Sequence, residues 1–246
     1  LDLLAMPLLI QTKMPLAFLI IGGQEAQPHS RPYMAYLDIQ RGDKRSRCGG
    51  FLVSENFVLM AAHCNGDMIT VYLGAHNIQQ REQSQQKISV HCRIPHPQYN
   101  RETRNNDIML LQLSHSAVLN NLVRLIPLPN ANSRVRPGSM CSVAGWGRTD
   151  WNIRTDTLRE VDLEVMRDNM CDLYSGYNPS TMLCVGNSRH NYGCSQSQGD
   201  SGGPLACDGV AQGIASYVDG NFYQPSVFTR LSTFIPWIQN ILQKQH

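Results

Sequence analysis

The stretch CSQSQGDSGGPLAC, residues 194–207, sets Ser201 among Gly199, Gly202 and Gly203 and directly after Asp200. A serine hydroxyl is a poor nucleophile at neutral pH and needs a neighbouring base to take its proton. LMAAHC offers His63 for that task, at the end of an apolar strand. NNDIMLL places Asp107 at the start of another, where a carboxylate is expected half buried. Imidazole titrates near neutrality and can move a proton in either direction, while a carboxylate on its far nitrogen fixes the tautomer. The glycines let the backbone turn sharply and aim peptide N–H groups at a developing oxyanion. Each motif alone has a plain structural reading: a core histidine, a buried strand, a glycine-rich turn. Together, in this order and spacing, they point to nucleophilic acyl transfer.

The elements that must position these groups are short and apolar. YMAYLDI (33–39), FVLMAA (57–62), ITVYLGA (69–75), KISVHCRI (87–94) and DIMLLQL (107–113) read as strands. After a polar, proline-containing stretch at 127–139, MCSVAGWG (140–147), LREVDLEV (158–165), TMLCVG (181–186), GVAQGIASY (209–217) and SVFTRL (226–231) resume the pattern. Many short strands at this spacing predict an all-β barrel or sandwich. Only FIPWIQNILQ reads as a helix, with Phe234, Trp237, Ile238, Ile241 and Leu242 on one face. Ser232 or Thr233 is the expected cap, and Pro236 falls in the first turn, where a missing N–H costs little.

A net charge of +2 across 246 residues, with no block of like charge, argues against nucleic acid as a partner. The densest basic stretch, RGDKRSR (41–47), reads as a solvated loop. Eight cysteines without a C-x-x-C pair disfavour a zinc site and favour an oxidising compartment. Apolar runs at 3–10 and 14–21 are too short to span a bilayer, so no membrane role is expected. Residues 1–19 read as an incomplete or damaged secretory leader ahead of a domain spanning 20–246.

The sequence resembles the chymotrypsin-family serine proteases, within their granzyme and mast-cell chymase branch. The likeness runs from Ile20 to His246 through IIGG (20–23), CGGFL (48–52), LGAHNI (73–78), AGWGRT (144–149), GVAQGI with SY (209–217) and PWI (236–238). It implies two six-stranded antiparallel Greek-key β-barrels with the active site in the cleft between them, plus a C-terminal α-helix. The first barrel would cover about 20–129, the second about 130–232 and the helix about 233–244. It also implies a catalytic triad of His63, Asp107 and Ser201, with the N–H groups of Gly199 and Ser201 as oxyanion hole. Ser216 would sit beside Asp107, and Ser216, Tyr217 and Val218 would pair with an extended substrate backbone.

The family reads the side chain before the scissile bond with a pocket whose floor here would be Ser195, with Ser197 on the wall and Gln198 at the rim. A hydroxyl there, with Ser226 opposite, disfavours the cation that a buried carboxylate would accept. Val218 stands where a flat aromatic slot has glycine, so small aliphatic residues are expected, with a chymase-like preference for Phe or Tyr as the alternative. The resemblance pairs Cys48 with Cys64, Cys141 with Cys207 and Cys171 with Cys184, and leaves Cys92 and Cys194 as free thiols. Activation would follow a cut before Ile20, whose new ammonium would pair with Asp200. Met60 departs from the family's usual Thr and is expected to disturb packing behind His63. The expected protein is a monomeric, secreted or granule-stored endopeptidase needing no metal or cofactor. Its partners would be protein and peptide substrates and serpin-type inhibitors, with weak or no glycosaminoglycan binding. The other reading is a non-catalytic, protease-shaped binding or antimicrobial protein.

Overall fold

The computed structural model describes residues 23–147, 155–186, 201–218 and 225–244. The first barrel is built from β2 (Met34–Arg41), β3 (Lys44–Ser54), β4 (Phe57–Met60), β5 (Met68–Leu73), β6 (Gln86–Pro95) and β7 (Met109–Leu113). These close in the order β2-β3-β4-β7-β6-β5, all antiparallel, so no edge is left open. Leu37 and Ile39 point inward while Asp38 and Gln40 stay partly exposed, the period-two alternation of a strand with one buried face.

The second barrel uses β8 (Met140–Gly145), β9 (Arg159–Val165), β10 (Met182–Gly186), β11 (Pro204–Cys207), β12 (Val210–Tyr217) and β13 (Ser226–Arg230). β8 pairs with both β9 and β11 and thereby closes the ring of six. A two-residue β1 (Gln24–Glu25) adds to β9, so the start of the described chain is fastened to the second barrel. Its core gathers Val143, Leu163, Leu183, Val185, Leu205 and Phe228. Burial of each such side chain contributes on the order of 1.5–3 kcal/mol.

The strand expectations hold to within a residue or two at most ends, but three elements differ from the sequence reading. RGDKRSR is a β-hairpin rather than a solvated loop: Arg41 pairs with Lys44, and β3 starts at Lys44. Its charged side chains hid a strand whose backbone is paired with β2 throughout. PLAC, inside the serine motif, is a buried strand. The helix α1 (Leu231–Gln243) begins before the expected cap residues, and neither Ser232 nor Thr233 caps it. Thr233 instead donates its hydroxyl to the Ser180 carbonyl at 2.7 Å. Pro236 is consequently inside the helix, in its second turn. The carbonyl that Pro236 cannot serve, that of Ser232, accepts the Asn132 N–H at 3.1 Å, so the interior proline leaves no orphan there. Although it follows the second barrel, α1 buries Leu231, Phe234, Ile235 and Ile238 in the same apolar cluster as the first barrel. No helix among the described residues is long and apolar enough to cross a membrane.

Among the described residues, three disulfides join Cys48 to Cys64, Cys141 to Cys207 and Cys171 to Cys184, and Cys92 is an exposed free thiol. Cys194 lies outside the described residues.

Candidate active site

Antiparallel register brings the first two site residues together. Met60, the last residue of β4, pairs with Met109, the first of β7. His63 follows Met60 by three residues and Asp107 precedes Met109 by two, so both emerge from one end of neighbouring strands. His63 lies beyond the strand, in a single 3-10 turn Ala62–Cys64 that the Cys48–Cys64 disulfide ties back to β3. Arg41 fastens the same turn from outside, donating to the carbonyls of Asn65 at 2.7 Å and His63 at 3.0 Å. Met60 is fully buried within β4, so the larger side chain is absorbed into the core.

Asp107 was expected half buried; its side chain is fully buried, and the reason is the number of donors around it. Oδ1 accepts the His63 backbone N–H at 2.8 Å. Oδ2 accepts both the His63 imidazole, at 2.7 Å from Nδ1, and the Ser216 hydroxyl at 2.5 Å. The Asp107 carbonyl accepts the Thr229 hydroxyl at 2.9 Å. A carboxylate taken out of water is tolerable when its lone pairs are met in this way. Because an ionised carboxylate only accepts, the Nδ1 atom of His63 carries the ring proton and Nε2 keeps a free lone pair. The His63 side chain remains 15 % exposed, enough to meet a reactant.

Ser216 reaches Asp107 through a strand irregularity. The β12–β13 register shifts between Ala215 and Tyr217, so Ser216 is the extra residue of a bulge. Bulges re-aim side chains. This one lets a residue of the second barrel touch a carboxylate of the first.

Ser201 is pinned between the barrels by its backbone. Its carbonyl accepts the Gly49 N–H at 2.8 Å from β3, and the next N–H, of Gly202, donates to Ala215 at 2.8 Å in β12. Gly202 has φ +88°, and a Cβ there would run into the Gly49 carbonyl oxygen. The glycine thus permits two barrels to approach at the serine. Ser201 and His63 line one open cleft of about 980 Å³.

Around the expected pocket, Tyr217 packs edge-on against Tyr174, with ring centroids 5.6 Å apart. Burial, followed by the negative field of Tyr174 and Asp107, pushes its hydroxyl up to about 12. Val218 is partly buried just beyond β12. Ser226 is buried, and its hydroxyl has no hydrogen-bond partner among the described residues. Ile20, Ser195, Ser197, Gln198, Gly199 and Asp200 lie outside the described residues. No cluster of three or more potential metal ligands occurs among the described residues.

Sequence reasoning missed Thr229 and the role of Arg41. No local signal marks Thr229, which is 122 residues from Asp107. Arg41 was visible in RGDKRSR but was assigned to solvent.

Against known proteins, the family model described as "Trypsin" matches residues 20–238. Human (Homo sapiens) cathepsin G is 54 % identical over 225 residues, 91 % of this chain and 88 % of that protein. Cattle (Bos taurus) duodenase-1 is 52 % identical over 229 residues, 92 % of this chain and 90 % of that protein. A solved structure titled "Structure of GrC" superposes with a TM-score of 0.85 at 47 % identity, covering 90 % of this chain and 99 % of that one.

Proposed function

For a chain that belongs to the trypsin family and is a serine endopeptidase of its granzyme and chymase branch, we propose that Ser201, His63 and Asp107 form the catalytic triad. The carrying observation is the pair of contacts by which the buried carboxylate of Asp107 holds His63, at backbone and ring together, on the cleft that Ser201 lines. Ser201 Oγ attacks the scissile carbonyl carbon while its proton passes to His63 Nε2. The tetrahedral oxyanion is held by the N–H groups of Gly199 and Ser201. His63 then protonates the departing amine as the C–N bond breaks, leaving an ester on Ser201. Water attacks that ester as His63 takes its proton; the acyl C–O bond to Ser201 then breaks, His63 returns the proton to Oγ, and the peptide acid leaves. Asp107 keeps Nδ1 protonated throughout and offsets the imidazolium charge.

The substrate strand adds to the residues Ser216, Tyr217 and Val218 at the open end of β12. Val218 narrows the pocket toward small aliphatic side chains, and the hydroxyls of Ser195 and Ser226 line it with neutral groups. The buried Ser226 hydroxyl, without a hydrogen-bond partner among the described residues, brings no carboxylate to offset a desolvated cation, which supports a neutral side chain there. Activation follows release of Ile20, whose ammonium pairs with Asp200. Three disulfides support function in an oxidising, extracellular or granule compartment.

The test is cleavage of matched peptides carrying Val, Phe or Lys before the scissile bond by the chain processed at Ile20. Ser201→Ala is the control, expected to lose about four orders of magnitude or more in rate. Fastest cleavage after Val supports the aliphatic pocket. A win for Phe would transfer the specificity to the chymase type while the triad stands, and equal rates in the Ser201→Ala control would remove the triad itself.

A further inference from the structure

The cleft that holds His63 and Ser201 is rimmed by Arg41, Arg47, Arg93, Arg101 and Arg104, against one carboxylate, Asp67, among its described lining. Those arginines are five of the 21 lysines and arginines in a chain whose net charge is only +2, so the charge is concentrated where a substrate must lie. Asp67, whose Oδ2 accepts the Gly42 N–H at 2.7 Å, offsets at most one of the five charges and forms no ion pair with them among the described residues. Arg41 is occupied with the His63 turn. Among the described residues, no carboxylate pairs with Arg47, Arg93, Arg101 or Arg104.

Arg104 is the most constrained of them. Its backbone sits at φ +57°, a conformation that a residue with a side chain adopts at a cost. The loop around it is fastened by Asn100, whose side-chain oxygen accepts the N–H groups of Glu102 and Thr103, and by Asn105 and Asn106, which donate to Gly176 and Gln98. Arg104 Nη1 is buried, and its side chain interacts with that of Tyr99. Its charge acts on Tyr99 and on Tyr217, the second residue of the proposed substrate-pairing segment. Arg47 lines the same cleft, next to Cys48 and two residues from the Gly49 that binds the Ser201 carbonyl. Its guanidinium lies 5.9 Å from the Tyr36 ring centroid, which steadies it without cancelling its charge.

We propose that this cleft selects peptide segments with acidic side chains on both sides of the scissile bond, Arg101 and Arg104 meeting those before it and Arg47 those after it. The inference rests on the protease reading for the direction of the strand, but its charge preference stands on the arginines alone. A planar guanidinium with unused donors matches a carboxylate in two hydrogen bonds. Charges on a cleft rim act chiefly on encounter and on salt dependence.

The experiment measures binding rather than turnover. The Ser201→Ala chain, cut before Ile20 and otherwise entire, is titrated with dye-labelled peptides that differ only in carrying Asp, Asn or Lys at the two positions on each side of the bond. The expected result is binding of the Asp peptide about tenfold tighter than the Asn peptide, with Lys weakest. The gap should shrink as salt rises from 20 to about 300 mM. Arg104→Gln should erase the advantage of Asp before the bond and leave that after it, and Arg47→Gln the reverse. Equal affinity for the three peptides overturns the proposal, even if the wild-type enzyme cleaves all of them. Tighter binding of a sulfated hexasaccharide than of the Asp peptide also overturns it, because the rim would then read charge density instead of a peptide strand. Failure of wild-type cleavage with the Asp preference intact would count against the triad and leave the arginine rim standing.

Discussion

The two barrels contribute to the cleft in different ways. In the first, His63 and Asp107 are brought together by the register of two adjacent strands, within 44 residues of each other. In the second, Ser216 reaches the same carboxylate from 109 residues away, through a bulge, and Thr229 reaches the Asp107 carbonyl from 122. The first barrel places the pair, and the second closes over it and removes water. A buried carboxylate therefore records that the barrels are correctly docked: each half supplies donors that the other half cannot. The arginine rim has the opposite character. It consists of long side chains, and among the described residues no carboxylate pairs with Arg47, Arg93, Arg101 or Arg104.

The comparison breaks most completely at Asp107. Asp107→Asn sets an amide NH2 against His63 Nδ1, and the imidazole then moves its proton to Nε2, the atom that has to act as base. Peptide cleavage should fall by about 10²- to 10⁴-fold in kcat, with KM little changed. Activity restored by raising pH alone would show that the carboxylate is not the orienting group. Next in size is the docking contact itself. Gly202→Ala forces a side chain into a left-handed backbone against the Gly49 carbonyl and should cost about 2–4 kcal/mol of stability, read by denaturant unfolding. A loss below about half a kcal/mol would mean that the barrels separate easily at this point.

Ser216→Ala sharpens the comparison, because it removes one donor from the second barrel and leaves both from His63. About tenfold loss in kcat is expected, the worth of one hydrogen bond to a charged group. A loss as large as that of Asp107→Asn would assign the positioning mainly to the second barrel. The smallest effect belongs to α1, far from the chemistry. His96 lies against Phe234 and Trp237, with ring centroids 5.2 and 5.1 Å away. Its Nδ1 accepts the Gln98 N–H at 3.3 Å, and desolvation lowers its pKa below the ordinary histidine value. The unfolded chain therefore binds a proton that the folded chain resists. Stability contributed by neutral His96 is present above the unfolded-state value near 6.5 and declines as pH falls through the folded-state value below it. Replacing His96 with Gln should flatten that part of the stability–pH curve, and an unchanged curve would exclude His96 as its source.

Much of the first barrel was legible because its strands alternate and end on strong markers: FVLMAA runs into His63, and DIMLLQL starts at Asp107. The two strands whose local chemistry misleads were not. RGDKRSR has the composition of a solvated turn, yet Arg41 and residues 44–47 are paired strand, and Arg41, Ser46 and Arg47 line the cleft. PLAC opens with proline directly after a glycine pair and reads as turn, yet it is a buried strand between β8 and β12. The helix was found from its period, but its start was misplaced because proline was assumed to need the first turn. Asn132 supplies from elsewhere the hydrogen bond that the proline cannot make.

The sequence by itself determined the kinds of groups available: a hydroxyl among glycines, an imidazole, a carboxylate, and the alternation that turns their flanking segments into strands. These are properties of residue type and near neighbours, and they are written along the chain. Tertiary structure alone decided that Asp107 is wholly buried, that Thr229 bonds its carbonyl, and that five dispersed arginines share one rim. Each of those depends on which distant segments meet when two barrels close and dock. Burial and field are sums over such neighbours, and no local stretch of sequence contains them.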